Sequence, residues 1–290
     1  MSPTVAVLGA INVDLVVRVP ELPTPGTTIT DGTFSRHQGG KGGNQAVAAA
    51  RALGRIGRVV MLGCVGEDDL GLEAVEALRR EGIDVSGVAR APDTPTGIAL
   101  ITVDDAGENQ IAVAPGANLR LEPSSVLGEL ERTRPALVLV SLEASPEATA
   151  GAAEWCRAHD VPLLLNPAPE RPWTRDLLGA ATYLTPNSHE LEALGTVPDG
   201  LVVVETLGAE GATIRAPGAE ELMVHAPAIE PVDTTGAGDC LNGVLAACLA
   251  EGMNLTAAVR RAVFAAALSV TVGGAREGMP TREGIDRALG

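Results

Sequence analysis

Aromatic residues are nearly absent from this sequence. They make up 2% of its 290 residues, and Phe34 is the only one near the loops that carry the motifs described below. A site that holds a flat ring usually stacks it on an aromatic side chain. The composition therefore disfavours such a site in this part of the chain.

Basic residues are also few, and the formal net charge is −16 at pH 7. Nucleic acids and anionic membrane surfaces attract basic patches, so the charge argues against both as partners. A ligand that carries phosphate must instead be held by local dipoles and metal ions. Among the 21 basic residues there is a single lysine, Lys41, and all the others are arginine.

Long apolar runs and paired cysteines are missing as well. No stretch of 18 apolar residues occurs, and the N-terminus lacks the pattern of a signal peptide. No C-x-x-C pair suggests a metal site, so we interpret the four cysteines as reduced core residues. These are Cys64, Cys156, Cys240 and Cys248. We expect a cytoplasmic protein.

Short apolar runs alternate with helical patterns along the chain. The predicted strands are Val5–Leu8, Val59–Leu62, Leu137–Val140, Pro162–Leu165, Tyr183–Thr185 and Leu201–Val204. The predicted helices are Asn44–Leu53, Gly71–Glu81, Pro146–His159 and Ser188–Leu194, with an Ala-rich helix at Ala257–Val270. This alternation is typical of an α/β fold with a doubly wound, mostly parallel sheet flanked by helices. Ligands of such sheets bind at the carboxyl ends of the strands.

Two stretches interrupt the alternation, Leu15–Thr33 and Gly97–Val113. Neither has room for a crossover helix, so both are predicted to be antiparallel ribbons in a small separate sheet. Residues 97–103 are apolar on both faces, whereas a half-exposed strand should alternate. We therefore expect one domain over residues 1–290, with a small β-sheet lid inserted at about 14–36 and 95–114, and a cover over the second face of the lid.

The most informative segment is Asp233–Asp239, with the sequence Asp-Thr-Thr-Gly-Ala-Gly-Asp. The next residues, Cys240–Ala250, have the apolar spacing of an amphipathic helix. Backbone N–H groups of Gly236, Ala237 and Gly238 can then converge on an anion at the helix N-terminus. A carboxylate at that position suits removal of a proton from a hydroxyl that attacks phosphate. The alternative is that Asp239 only caps the helix.

A second glycine-rich segment, Gly39–Gln45, surrounds the single lysine. Backbone of this kind can approach a ligand closely, and the ammonium group of Lys41 adds a compact charge. A ligand contact is therefore favoured over a chance lysine in a turn. A Walker loop is excluded, because Gly42 follows Lys41 where that motif requires Ser or Thr.

The order of the motifs along the chain resembles that of the ribokinase-like (PfkB) family of carbohydrate kinases. The motifs are these two segments, Asn12, Asp14, the Asn187–Glu190 tetrapeptide and the Thr206–Gly211 turn. The resemblance covers nearly the whole chain. It implies a role for each residue of a site. For Asp239 and the adjoining glycines, that role agrees with the role inferred above from the helix N-terminus.

The resemblance implies that Asp239 is the catalytic base, beside an anion hole formed by Gly236, Ala237 and Gly238. It implies that the sugar is held by Asn12, Asp14, Gly39, Gly40, Lys41, Asn44, Glu143 and Asp239. The phosphates and ribose of ATP would be lined by Asn187, Thr206, Gly208, Gly211 and Gly238. Asn187 and Glu190 would organise Mg²⁺, largely through water. Asp233, Thr235 and Gly274 would hold a monovalent cation, with potassium the expected ion.

The chain departs from the family pattern in three places. Gly278 stands where a serine is usual, so one side-chain ligand of the monovalent cation is missing. Val263 stands near where a ring-bearing residue would lie against adenine, which predicts loose selectivity for the base. Ten residues separate Glu190 from Leu201, fewer than the family usually has.

The expected function is ATP-dependent phosphorylation of the primary hydroxyl of a small sugar, with D-ribose the first choice. A nucleoside kinase of the same fold, another sugar kinase and a non-catalytic sugar-binding protein remain alternatives. The few aromatics disfavour a nucleoside, and a binding protein has no use for Asp239. The apolar second face of the lid predicts a homodimer through the lid sheets.

Overall fold

The computed structural model describes residues 2–290, which contain thirteen strands and nine α-helices. The strands are β1 (Thr4–Leu8), β2 (Asn12–Arg18), β3 (Thr33–Gly39), β4 (Arg58–Gly66), β5 (Val88–Ala91), β6 (Gly97–Val103), β7 (Asn109–Ala114), β8 (Leu137–Ser141), β9 (Leu163–Asn166), β10 (Tyr183–Leu184), β11 (Val202–Thr206), β12 (Gly211–Arg215) and β13 (Leu222–His225). The helices are α1 (Lys41–Leu53), α2 (Asp69–Arg80), α3 (Pro123–Thr133), α4 (Pro146–Ala158), α5 (Thr174–Leu177), α6 (Ser188–Leu194), α7 (Ala237–Ala250), α8 (Leu255–Ser269) and α9 (Arg282–Leu289).

Nine strands form one large sheet in the order β13-β12-β11-β10-β9-β8-β1-β4-β5. All neighbouring pairs from β11 to β5 are parallel, and β12 and β13 are antiparallel additions at one edge. This architecture confirms the predicted α/β fold with a mostly parallel sheet. The antiparallel edge was not predicted. Glycines in the turn between β11 and β12 could serve either to bind a ligand or to form a tight turn, so they did not show that the chain reverses direction there.

Helices cover both faces of the large sheet, as the central strand β1 shows. Val5 and Val7 belong to the apolar layer under α1 and α7, while Ala6 and Leu8 belong to the layer under α3 and α4. Alternate residues of a strand point to opposite faces. A strand covered on both sides must therefore be apolar throughout, which explains the continuous apolar runs in the sequence.

A second sheet of four strands has the order β3-β2-β6-β7. Its two hairpin-like pairs, β2 with β3 and β6 with β7, are antiparallel, and β2 pairs with β6 in parallel register. We call this sheet the lid sheet. Its β7 is exposed at every residue.

The first predicted ribbon differs from the structure in its bounds. Its strands are Asn12–Arg18 and Thr33–Gly39, and the residues between them carry no strand. Three prolines, Pro20, Pro23 and Pro25, lie in that connection. Proline cannot donate to a strand ladder, which explains why pairing stops before them.

No helix within residues 2–290 is both long enough and apolar enough to cross a membrane. The longest, α8, has 15 residues. A membrane-spanning helix needs about 20 predominantly apolar residues.

Candidate active site

The Asp233–Asp239 motif forms the turn that leads into α7. Gly236 caps the helix with a φ of 78°, a left-handed conformation that glycine adopts without strain. A β-carbon on Gly236 would lie 2.6 Å from the carbonyl oxygen of Ala275, so the adjoining loop also requires glycine. The first N–H groups of a helix have no intrahelical carbonyl to bond, and they stand at the positive end of the dipole. The turn therefore presents an anion site.

One of the three predicted donors of the anion hole is already engaged within the turn. The Ala237 N–H donates to the Thr234 carbonyl oxygen at 3.2 Å. Gly238 is exposed in the first helical turn, and a β-carbon there would meet nothing within 4 Å. Gly238 is thus the member of the predicted set with the most open approach for a phosphate.

Asp239 lies in the first turn of α7 and is 6% exposed. Its Oδ2 accepts a hydrogen bond from the Asn44 side-chain amide at 3.0 Å, and its Oδ1 accepts one from the Gln45 amide at 3.1 Å. Both donors come from α1, and the Gln45 amide also donates to Asn166 at 3.0 Å. Two amides thus hold one carboxylate in a fixed orientation. Gln45 was not among the predicted site residues, because its place in the motif does not show which way it points.

The close crossing of α1 and α7 brings these groups together. At Gly243 the two helices approach so closely that a β-carbon would run into the Gln45 carbonyl oxygen and stand 2.6 Å from the β-carbon of Ala48. Helix α1 is itself rich in glycine and alanine on its buried side. Small residues on both helices therefore place the amides of α1 against the Asp239 carboxylate on α7.

The acids predicted to hold the sugar converge on the N-terminus of α1. The Glu143 carboxylate accepts a hydrogen bond from the Lys41 backbone N–H at 2.8 Å. The Asp14 carboxylate lies where a side chain on Gly39 would be. Burial raises the pKa of Asp14, against the opposing charges of Arg276 and His37. Burial likewise raises the pKa of Glu143, against the hydrogen bond from Lys41.

The Lys41 side chain lies among carboxylates. The charge of Asp239 is the main cause that raises the pKa of Lys41, burial opposes it, and Glu143 and Glu190 raise it further. The ammonium group is therefore protonated at neutral pH. Three acids from three different elements, α7, the segment after β8 and α6, therefore act on this one cation.

Asn12 is buried beside a residue that the sequence did not indicate. The Asn12 Oδ1 accepts a hydrogen bond from the Asn118 amide at 2.7 Å. The Asn118 Oδ1 accepts one from the Ile11 backbone N–H at 2.8 Å. Asn118 lies in a 3-10 turn after β7, far from Asn12 in sequence. No local motif signals this contact, which depends on the tertiary position of the turn.

Arg276 is a second residue that the sequence analysis missed. It follows Gly274 in the loop after α8, and its guanidinium group is buried against Asn44 and the Gly39 carbonyl group. Its only sequence signal is its place between Gly274 and Gly278. An arginine in a loop is usually exposed, so composition gives no indication of it.

A cavity of about 710 Å³ opens beside the α7 N-terminus. Gly208 and Gly211 line it on one side, Thr234 and Ala237 at the turn, and Val263 on α8. No aromatic side chain lines it. The cavity therefore adjoins two of the residues predicted to bind ATP, the N-terminus of α7 and Val263.

Thr206 and Asn187 stand side by side at the edge of this region, joined by a parallel bridge between their backbones. Asn187 and Glu190 form a capping box at the start of α6. The Asn187 Oδ1 accepts from the Glu190 N–H at 2.8 Å, and the Glu190 Oε2 accepts from the Asn187 N–H at 2.9 Å. Burial raises the pKa of Glu190, against the opposing charge of Lys41.

No cluster of three or more His, Cys, Asp or Glu side chains suited to a metal ion occurs within residues 2–290. Mg²⁺ commonly takes only one or two carboxylates and completes its shell with water and substrate phosphates. The Oε1 atom of Glu190, which takes no part in the capping box, matches that pattern.

The residues predicted for a monovalent cation are adjacent. The two carboxylate oxygens of Asp233 accept hydrogen bonds from the N–H groups of Thr235 and Gly274, each at 2.9 Å. Burial raises the pKa of Asp233, but these hydrogen bonds outweigh it and the pKa is lowered. At Gly278 any side chain would overlap the Ser269 carbonyl oxygen. The structure therefore has no room for the missing side-chain ligand.

The site has a buried carboxylate at a helix N-terminus, with acids and amides around it and a nucleotide-sized cavity beside it. This arrangement is that of a phosphotransferase with an alcohol group as acceptor. The chain also matches the family model of the pfkB family carbohydrate kinases over residues 2–282. It therefore belongs to that family.

Individual relatives are similar over their full length. The ribokinase of Bacillus subtilis (strain 168) is 39% identical over 98% of this chain and 99% of its own. The solved ribokinase of Giardia lamblia has a TM-score of 0.90 and 31% identity, with 100% and 99% of the two chains covered. The Arabidopsis thaliana ribokinase, solved in complex with ribose and ATP, has a TM-score of 0.88 and 28% identity, with 100% and 99% covered.

Proposed function

We propose that this protein is a ribokinase, which transfers the γ-phosphoryl group of ATP to the primary hydroxyl of D-ribose and forms ribose 5-phosphate. The observation that carries the proposal is the Asp239 carboxylate, buried at the N-terminus of α7 and held by two amides of α1. Full-length similarity to ribokinases, one of them solved with ribose and ATP, supports ribose as the sugar.

In the proposed reaction, the Asp239 carboxylate accepts the proton of the sugar hydroxyl as its oxygen attacks the γ-phosphorus. The α7 N-terminus, through Gly238 and its neighbours, stabilises the negative charge that develops on the transferred group. The amides of Asn44 and Gln45 fix the direction of the carboxylate, so the base meets the hydroxyl without a rotational search. Expulsion of water from the cleft strengthens each of these interactions.

We propose that Asn12, Asp14, Asn44 and Glu143 bind the ring hydroxyls of the sugar, with the backbone of Gly39, Gly40 and Lys41 beside them. Buried carboxylates and amide oxygens accept hydrogen bonds from hydroxyl groups. Gly40 has a φ of 82°, and a β-carbon there would lie 2.6 Å from the Ala10 carbonyl oxygen, so only glycine lets the backbone pass this close to the ligand. Glu143 follows the carboxyl end of β8, at the edge where α/β sheets bind ligands, and Gly39 ends β3.

For the nucleotide we propose that ATP occupies the cavity lined by Gly208, Gly211 and Val263, with Thr206 and Asn187 near its phosphates. Asn187 and Glu190 would hold Mg²⁺ through water, and the ion would neutralise charge on the β- and γ-phosphates. Without an aromatic wall, the base is held mainly by apolar contact. We therefore expect GTP to replace ATP with a modest loss of kcat/KM.

A monovalent cation would bind at Asp233, the Thr235 carbonyl group and Gly274. This set lacks one side-chain ligand, because Gly278 carries none and has no room for one. We expect potassium chloride to raise kcat only a few-fold above sodium chloride at equal ionic strength. A large and specific requirement for potassium would contradict this reading of Gly278.

We propose further that the protein acts as a homodimer in the cytoplasm, with the lid sheets of two subunits packed on each other. Leu100, Ile111 and Val113 in the lid sheet are each more than half exposed. Exposed apolar strands of this kind are a liability unless they are covered. All four cysteines are free and buried, which suits a reducing compartment.

The direct test is ADP release measured with MgATP and a panel of D-ribose, 2-deoxyribose, other pentoses, hexoses and nucleosides. We expect D-ribose to give the highest kcat/KM, and mass spectrometry of the product to place the phosphate on O5. A preference for a nucleoside would favour the second candidate, a nucleoside kinase. ADP release with none of these acceptors would contradict the proposal.

A further inference from the structure

Arg276 is buried to an extent that is unusual for an arginine, at 8% exposure. Its Nε donates a hydrogen bond to the Asn44 Oδ1 at 2.7 Å, and one terminal nitrogen donates to the Gly39 carbonyl oxygen at 2.8 Å. Burial lowers the pKa of Arg276 to about 10, while the charges of Asp14 and Asp239 oppose that change. The guanidinium is thus a fixed positive charge within the influence of both acids.

The surrounding chain is shaped to hold this side chain. A side chain on Gly43 would collide with the guanidinium, so only glycine leaves room for it. Arg51 of α1 donates to the backbone carbonyl oxygens of Arg276 and Met279 at 2.6 and 2.9 Å. Arg51 is itself paired, at 2.7 Å, with Glu81, the residue that follows α2. The loop after α8 is therefore anchored to α1 at the point where Arg276 enters the site.

The contact with Asn44 determines which way its amide points. A guanidinium has only donors, so the atom of Asn44 that faces Arg276 must be the oxygen. The amide NH₂ group must then face Asp239, where it donates to the carboxylate at 3.0 Å. If the amide turned over, both contacts would become repulsive. Arg276 thus acts on the base through one intervening amide.

We propose that Arg276 is a positioning residue of the phosphoryl transfer, which orients the Asn44 amide toward Asp239 and, through the Gly39 carbonyl group, holds the Gly39–Gln45 segment in place. This inference rests on the proposed function, because it concerns the same reaction. It adds a residue that neither the sequence pattern nor the sugar contacts assign. The expected consequence is a loss in kcat and in sugar affinity without a loss in ATP affinity.

The test is steady-state kinetics of Arg276→Met, Arg276→Gln and Arg276→Lys, with D-ribose and MgATP varied separately. For Arg276→Met we expect kcat to fall by about 10-fold to 100-fold and KM for ribose to rise, since a hydrogen bond to a charged donor is lost. KM for ATP should stay within twofold, as roughly expected for a site that the change does not touch. Arg276→Lys, which keeps the charge and one donor, should recover part of kcat.

Arg282→Met is the matched control. Arg282 also forms a partly buried ion pair, with Glu251 at 2.6 Å, but it lies on α9 away from the site. Its loss should lower the melting temperature and leave kcat and both KM values unchanged. Melting temperatures of all variants, with kinetics well below them, separate loss of folding from loss of positioning. Should Arg276→Met not fold, Arg276→Gln replaces it.

A double-mutant cycle with Asn44→Ala decides whether Arg276 acts through Asn44. We expect the double variant Asn44→Ala/Arg276→Met to have a kcat little below that of Asn44→Ala alone, because Arg276 acts on Asp239 through the Asn44 amide. Additive losses would overturn the proposal, as would Arg276→Met with kcat and KM for ribose near wild type. A wild-type enzyme that phosphorylates no sugar would contradict the proposed function instead.

Discussion

Two carboxylates near the Gly39–Gln45 segment, Asp14 and Glu143, have pKa values raised mainly by burial. Burial favours the neutral form of an acid, yet a sugar hydroxyl is bound best by the charged form. The charged form of these two acids, which is proposed to bind the sugar, is therefore the form that their burial in the folded protein disfavours. Loss of stability in exchange for binding is common at functional sites.

Glu143→Gln tests this conflict at one residue. The glutamine oxygen can still accept the Lys41 N–H, but the charge is lost, so we expect KM for ribose to rise by about 10-fold and KM for ATP to stay unchanged. The sugar-free variant should melt at a higher temperature than wild type at pH 7. Kinetics and calorimetry provide the two readouts.

The pH dependence of that stability gain has a definite sign. Because the folded pKa of Glu143 is raised, the favourable contribution of its neutral form is complete below the unfolded pKa and is lost as the pH rises through the folded pKa. The difference in melting temperature between Glu143→Gln and wild type should therefore be largest near pH 7 and vanish below the ordinary pKa of 4.5. Glu192→Gln, at an exposed position of α6, should show neither effect. A Glu143→Gln protein less stable than wild type at pH 7 would contradict this account.

At the scale of elements, the crossing of α1 over α7 brings the Asp239 carboxylate together with the two amides that donate to it. Gly243→Ala should force the helices apart at Gln45 and Ala48, with a loss of about 1 to 3 kcal/mol in the free energy of unfolding. Since Asn44 and Gln45 move with α1, kcat should fall as well. Denaturant unfolding and ribose kinetics measure the two effects.

Gly151→Ala is the control for that substitution. Gly151 also lies inside a helix, α4, but its nearest neighbour would be the Pro123 β-carbon at 3.6 Å, an ordinary contact. Alanine is a better helix former than glycine, so this variant should gain up to about 1 kcal/mol. Equal behaviour of the two variants would show that the helix crossing is not tight at Gly243.

The strand-and-helix alternation predicts the large sheet well, because strands buried on both faces leave unmistakable apolar runs. The motif at Asp233–Asp239 likewise predicts a helix N-terminus, and α7 begins within it. The bounds of the first predicted ribbon differ from β2 and β3, because β3 runs on through polar residues such as Arg36 and His37 to Gly39. Helix α1 begins at Lys41 and includes residues 41–43, which the glycines had hidden.

The residues that hydrogen-bond to the predicted site residues could not be predicted from the sequence, for a different reason. Gln45, Asn118 and Arg276 reach the site from a helix, a 3-10 turn and a loop whose mutual positions depend on the tertiary fold. Each is a common residue type without a local motif. Their roles follow from hydrogen-bond direction and burial, which only coordinates provide.

At the scale of the whole molecule, the lid sheet predicts assembly. Leu100→Asp should place a charge on the exposed apolar strand β6 and convert a dimer to a monomer, because burying an unpaired charge at an interface is costly. Sedimentation at micromolar concentration measures the assembly. We also expect weaker ribose binding, since the lid sheet carries Asp14.

Leu72→Asp is the matched control for the dimer. Leu72 is a similarly exposed leucine on α2, outside the lid sheet. Its substitution should leave assembly and kinetics unchanged. A wild-type protein that sediments as a fully active monomer would contradict assembly through the lid.

The central claim is that Asp239 is the catalytic base. The most direct measurement compares kcat of Asp239→Asn with that of the wild type, with D-ribose and MgATP, alongside ribose affinity by calorimetry. Asparagine keeps the size of the side chain but cannot accept the proton, so kcat should fall by about 100-fold or more. Ribose affinity should change far less. An Asp239→Asn enzyme within a few-fold of wild type in kcat would contradict the claim.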